Sequence, residues 1–167
     1  ACLMAMAEVG FSLRDLTDVF VASQEVVGAE GHDYRTLFST LEDSPDMTSA
    51  QALATGFVAS YEEQYEGSYW GWDTQSAVVT DGYQALATAL EQFVDTAVAG
   101  TGLDLDVLRE ARDDAITYDI SFLRDLGSFV NAVADNNDVS ATLQAAAIEV
   151  EDTILAMRVA QSEDARE

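Results

Sequence analysis

The sequence predicts an α/β sandwich: mostly parallel strands flanked by helices, with a helical C-terminal third. Three observations carry that expectation. Two short runs, Asp18-Val19-Phe20-Val21-Ala22-Ser23 and Thr74-Gln75-Ser76-Ala77-Val78-Val79-Thr80, have the β-branched and apolar character of interior strands. Helical periodicity flanks each run. With 167 residues, 49% of them hydrophobic, the chain can bury a sizeable core and is far too apolar for a disordered acidic tail.

Taken in order, residues 3–16 read as a helix apolar on nearly all sides, through Met4, Met6, Val9, Phe11 and Leu13, and such a helix is expected to lie buried over a sheet. The strand at Asp18–Ser23 follows, and an α-helical crossover before it suggests a parallel βαβ unit. A loop with two glycines, Gly28 and Gly31, leads to a short helix from Tyr34 to Leu41 with Leu37, Phe38 and Leu41 inward. Ser44-Pro45-Asp46 breaks the chain. Thr48 or Ser49 caps a longer helix whose stripe is Leu53, Phe57, Tyr61 and Tyr65. An aromatic turn at 67–72 precedes the second strand. A helix from Asp81 to Ala99 places Tyr83, Leu86, Leu90, Phe93, Val94 and Ala97 on one face, and Gly100-Thr101-Gly102 ends it. Three more helices are expected over 104–115, 125–134 and 140–159, with a turn at Asn136-Asn137-Asp138. Residues 1–80 thus form a sheet-bearing part and residues 81–167 a helical part of the same domain. So few parallel strands need neighbours, so more strands are expected before Ala1.

Charge excludes several functions. Seven basic residues, all arginine, face 31 acidic ones, for a net charge of −24. Such a chain repels nucleic acid and anionic membranes. No apolar run is long enough to cross a bilayer, so no membrane insertion is expected. Self-repulsion at this charge is relieved by salt, which predicts a halophilic source.

The chemistry-bearing residues are few. Cys2 is the only cysteine and His32 the only histidine. A thiol at a strand end with a helix N-terminus behind it is a good nucleophile, because the amide dipoles favour a thiolate and free N–H groups receive an oxyanion. The same lone cysteine also reads as a small buried hydrophobe. His32, between Gly31 and Asp33, could meet Cys2 as its base if their strand ends are neighbours, but it reads rather as a solvent-exposed loop residue. Ser23 and Ser76 have no base nearby in sequence and read as packing or turn residues. The pairs Asp104/Asp106, Asp113/Asp114 and Asp135/Asp138 read as a solvated acidic surface, and Arg124 with Asp125 as a structural ion pair. The run Asp135-Asn136-Asn137-Asp138 lacks the glycine and distal glutamate of a calcium loop.

Ala1-Cys2-Leu3-Met4 with Glu8-Val9, followed by Val21-Ala22-Ser23-Gln24-Glu25, Gly28, Glu30-Gly31 and Tyr34, resembles the clostripain family of C11 cysteine peptidases. Weaker echoes occur at Ser60-Tyr61 with Tyr65, at Thr74–Val78 and at Asp125-Leu126. The resemblance implies a caspase-like three-layer sandwich, of which this chain holds a part: residues 1–80 carry the catalytic cysteine and residues 81–167 the helical portion. It implies an endopeptidase with a Cys/His dyad cleaving after basic residues, mainly arginine. Cys2 would be the thiolate, its own N–H helping to hold the oxyanion. Ser23, Gln24 and Glu25 would line the pocket wall, and Glu30 would face the basic side chain through paired hydrogen bonds.

Three departures follow. The family's dyad histidine lies upstream of the cysteine, on a segment or light chain absent from this sequence. His32 stands where the family has tryptophan and is not the base. The pocket aspartate two positions before the cysteine would precede Ala1. Family members are processed into two chains, so a cut zymogen is one origin for this chain. Calcium, used by some relatives, is the only cofactor to consider, with no ligand set to name. An extracellular or cell-surface setting is typical of such peptidases. The other readings are a non-catalytic acidic helical interaction domain, an inactive family member, and an acidic module binding a cationic partner.

Overall fold

The computed structural model describes residues 2–44, 49–65 and 74–163. The elements are α1 (Ala7–Leu13), β1 (Val19–Ala22), α2 (Tyr34–Asp43), α3 (Ala50–Tyr65), β2 (Thr74–Val79), α4 (Tyr83–Ala99), α5 (Gly102–Asp114), α6 (Leu126–Ala134), α7 (Ala141–Met157) and β3 (Arg158–Glu163). They fall into two compact units, Ala1–Tyr83 with Met157–Glu167, and Gln84–Ala156. The predicted chain break at Pro45-Asp46, the cap Thr48 and the aromatic turn at 67–72 lie outside the described residues.

The first unit holds the sheet, ordered β1-β2-β3, and both pairings are antiparallel. This corrects the expectation of mostly parallel strands. Two helices separate β1 from β2 and four separate β2 from β3, and connections this long can return a strand to the sheet in either direction. A short apolar run reads the same in either pairing, so the run could not decide it. In the register, Val19 faces Val79 and Ala22 faces Ser76.

β3 corrects the helix expected over 140–159, which ends at Met157. Within Arg158–Glu163 only Val159 is β-branched, so intrinsic preference does not make it a strand. The open edge of β2 does, by offering partners to its N–H and C=O groups. The pairing accommodates an irregularity at Ala77/Val78.

Helix α3 lies over the sheet. Ala54 and Val58 pack on Ala77, with Val19, Val21, Val159 and Ala160 around them. The expected stripe is rotated: Leu53 is exposed, while Tyr61 and Tyr65 are buried. Small residues let the helix approach the sheet closely, which the larger Leu53 would prevent. Ser49 caps this helix, its Oγ accepting from Ala52 N at 3.1 Å. In α2, Leu37 is buried as expected, but Phe38 is exposed and stacks on Tyr34 with centroids 6.3 Å apart.

The first helix is much shorter than the 3–16 span, and it is not buried all round. Only Gly10 is buried, because the Tyr83 ring occupies the place where a side chain would stand. Residues 2–6 precede the helix and take another course, described below.

In the second unit the expected faces recur. Leu86, Ala89 and Phe93 of α4 are buried, although Val94 is exposed. Val107 and Ala111 of α5, Val130 and Val133 of α6, and Leu143, Ala147 and Val150 of α7 fill the core. Phe93 meets Phe129 edge to face at 6.0 Å. One aspartate departs from the solvated surface expected of it: Asp104 is 1% exposed. It closes a capping box with Thr101 and accepts from Ser140 N at 2.7 Å. These bonds to the anionic form pull its pKa down to about 2. Arg124 donates to the carbonyls of Asp113 and Ala115, and Asp125 caps α6 through Ser128 N. Asn136 Oδ1 accepts from Asp138 N at 2.8 Å, completing the expected turn.

Candidate active site

Cys2 is exposed and stands in a turn, followed by Leu3 at a φ of 52°. Left-handed backbone at a leucine is held by its surroundings rather than by preference. Three main-chain bonds do the holding. Leu3 N donates to Glu25 O at 3.2 Å, and Met4 N and Ala5 N both donate to Ser23 O at 3.0 Å. The thiol therefore sits on the strap that leaves the carboxyl end of β1. Val27 N donates to Cys2 Sγ at 3.3 Å, and an N–H aimed at sulfur can support negative charge there. The helix dipole expected directly behind the thiol is not placed there: α1 begins at Ala7, and the dipole's influence fades within a turn.

The strap is fixed by a buried polar knot. Ser23 Oγ accepts from Glu25 N at 3.0 Å and lies 3.1 Å from Thr74 Oγ1. Thr74 Oγ1 also accepts from Gln24 N at 3.0 Å. Glu25 turns its Oε1 onto Val26 N at 2.8 Å. Ser23 and Glu25 are buried, Gln24 is half-buried and Glu30 is exposed. Ser76, the other serine considered, donates across the strands to Ala22 O at 3.3 Å. Thr74 has no signal in the sequence, since its partners lie about fifty residues away.

Beyond Val27 the chain runs along α3. Gly28 lies against Tyr65, where a Cβ would come within 2.6 Å of the ring. Tyr65 Oη donates to Gly31 O at 2.9 Å. Gly31 itself has a φ of 68°, left-handed backbone that glycine adopts freely. Gln64 Oε1 accepts from Asp33 N at 2.7 Å. Ala29 and Glu30, at the tip, are exposed.

His32 is not the solvent-exposed loop residue expected. It is half-buried, with its ring 5.2 Å from Tyr61, 5.8 Å from Phe57 and 6.1 Å from Tyr34. Its Nε2 is 3.5 Å from Gln75 Nε2, and its buried Nδ1 has no partner among the described residues. Burial lowers its pKa. No hydrogen bond joins the Cys2 thiol to this ring among the described residues. Among those residues no group of three or more His, Cys, Asp or Glu is arranged to hold a metal ion, and no helix is long and apolar enough to cross a membrane.

The chain matches the family model described as the clostripain family over residues 1–164. No curated protein matches it. Among solved structures it is similar to a B. fragilis cysteine protease, with a TM-score of 0.67 and 20% identity, covering 97% of this chain and 64% of that one. It is similar to a clostripain from Bacteroides thetaiotaomicron ATCC 29148 in complex with the peptide inhibitor BTN-VLTK-AOMK, with a TM-score of 0.67 and 16% identity, covering 96% and 64%. It is also similar to a secreted C11 cysteine protease from Bacteroides thetaiotaomicron in complex with an irreversible peptide inhibitor, with a TM-score of 0.67 and 18% identity, covering 97% and 42%. The chain thus spans less than two thirds of the length of each of these structures, and identities this low speak for the fold.

Proposed function

The chain belongs to the clostripain family, and from that premise we propose that it is the cysteine-bearing part of a cysteine endopeptidase that cleaves after basic residues, mainly arginine. The observation that carries the proposal is the exposed Cys2 thiol, held on the strap after β1 with Val27 N directed at its sulfur. In this reading Cys2 attacks the scissile carbonyl, and a histidine on an upstream segment or light chain takes its proton. Its own N–H helps hold the oxyanion. His32 is not that base, because its ring is engaged by Phe57, Tyr61 and Gln75.

Gln24 and Glu30 supply the accessible surface of the substrate pocket in this proposal. Ser23 and Glu25, both buried, form its wall from behind by fixing the backbone. Glu30 pairs with the guanidinium of the residue before the cut, in a bidentate contact that favours arginine over lysine. Support for a basic residue comes from the Bacteroides thetaiotaomicron clostripain, whose inhibitor carries the peptide VLTK, ending in lysine. The caspase-like sandwich is the architecture proposed for the whole domain. Secretion is proposed by likeness to the secreted C11 protease, and the charge of −24 supports a setting of high salt. Calcium has no proposed ligand here.

An arginyl chloromethyl ketone tests the assignment on the full-length protein. Rapid labelling confined to Cys2, and lost in Cys2→Ala, is the expected result. A thiol that reacts only after denaturation would instead favour an inactive family member or a non-catalytic acidic interaction domain.

A further inference from the structure

The loop that carries Glu30 is fastened to the end of α3 at nearly every residue except its tip. Gly28 rests on Tyr65, Gly31 O accepts from Tyr65 Oη, Asp33 N donates to Gln64, and the His32 ring packs against Phe57 and Tyr61 and reaches Gln75. We infer that His32 is a positioning residue: seated as a neutral ring against Gln75, it holds the Glu30 loop in the form that binds a basic side chain, and protonation releases the loop. The inference rests on the proposed role of Glu30 and adds a pH-dependent control of that same pocket.

The contact with Gln75 carries the argument. Gln75 is 1% exposed, and its amide lies 3.5 Å from His32 Nε2. An N–H of the amide can donate to that nitrogen only while it is unprotonated; protonation breaks this contact and requires the buried amide to turn over. The remaining ring nitrogen, Nδ1, is buried with no partner among the described residues, and so is Gln75 Oε1. With Nε2 accepting, the neutral ring already carries its proton on Nδ1, so that N–H lacks a described partner in both forms and becomes a charged donor only in the cation. The described groups facing the ring supply no counter-ion. From α3 come Phe57 and Tyr61, from α2 Tyr34, and from β2 the neutral Gln75. The adjacent Asp33 turns its carboxylate onto Thr36 and the Arg35 amide in the cap of its own helix. The burial that depresses the His32 pKa acts the same way, keeping the ring neutral at pH 7.

The test uses the full-length protein carrying Cys2→Ala, so that the thiol does not react during the measurement, and His32→Gln serves as the control for every other titrating group. Affinity for an arginyl peptide is measured between pH 7.5 and 5. The proton resonance of His32, assigned by its loss in His32→Gln, is followed over the same range. Kd is expected to rise about tenfold per pH unit below the midpoint of that resonance, as the competent fraction falls. His32→Gln is expected to bind more weakly at pH 7.5 but with a flat pH profile. Gln75→Glu places a carboxylate beside the ring and is expected to raise the midpoint while extending tight binding to lower pH. A Kd that stays flat through the histidine midpoint, or an equal slope in His32→Gln, overturns the inference while leaving the Glu30 pocket intact. If Glu30→Gln binds the arginyl peptide as well as its parent at pH 7.5, the pocket reading itself fails, and this inference falls with it.

Discussion

Ser23 shows how much of the site rests on one hydroxyl. It satisfies Glu25 N and meets Thr74 in a fully buried position, while its carbonyl receives both Met4 N and Ala5 N. Ser23→Ala leaves a buried N–H without its acceptor, a loss of about 1–3 kcal/mol. The expected result is a lowered urea midpoint together with slower alkylation of Cys2, because the strap that seats the thiol loosens. Asp104 makes a different prediction, in acid. Its carboxylate is held at about 2 against an ordinary 3.8, so it contributes stability in full above the unfolded value. That contribution is lost as pH falls through about 2. Asp104→Asn should therefore melt at lower temperature than the parent at pH 6 and approach it near pH 2. A gap that stays constant across this range would count against the assigned hydrogen bonds. None of these roles was legible in the residues alone. Ser23 read as a packing or turn residue, with a place in the pocket wall only through the family resemblance, and Asp104 read as surface, because their partners are distant in sequence.

The elements divide by how local their cause is. The helices of the second unit could be read from apolar spacing, since residues three and four apart share a face whatever the rest of the chain does. β3 could not, because its strand state is imposed by the free edge of β2. Nor could the phase of α3, whose buried side is Ala54 and Val58 rather than Leu53. That interface predicts a strict size limit. Ala77 is wholly buried under α3, and Ala77→Leu is expected to cost about 1–3 kcal/mol by overpacking, measured by denaturant unfolding. Helix α1 makes a second test. A methyl at Gly10 would collide with the Tyr83 ring, so Gly10→Ala should lower Tm, and Tyr83→Ala in the same chain should remove most of that added cost. Additive losses in the double variant would show that the two residues do not share this space.

For the whole molecule the deciding quantity is charge. At −24 the folded chain concentrates carboxylates that the unfolded chain spreads apart, and the repulsion is screened once the Debye length falls from about 10 Å at 0.1 M salt to about 3 Å at 1 M. Tm is expected to rise between 0.1 and 2 M NaCl. A flat or falling Tm would oppose the high-salt setting. The acidic balance also opposes association with nucleic acid, independently of which fold the chain adopts.

By itself the sequence determined the two strands after the thiol, the amphipathic helices of the C-terminal half, the excess of negative charge, and the family, through the cysteine and the Ser-Gln-Glu strap. These are read from neighbouring residues or from sums over the chain. Only the tertiary structure decided the antiparallel sheet, the third strand, the buried cap at Asp104 and the clamp that seats His32 against Gln75. Each of these depends on hydrogen-bonding or packing between residues tens of positions apart, and a linear pattern of side chains carries no record of which distant partner will satisfy a given amide, ring or strand edge.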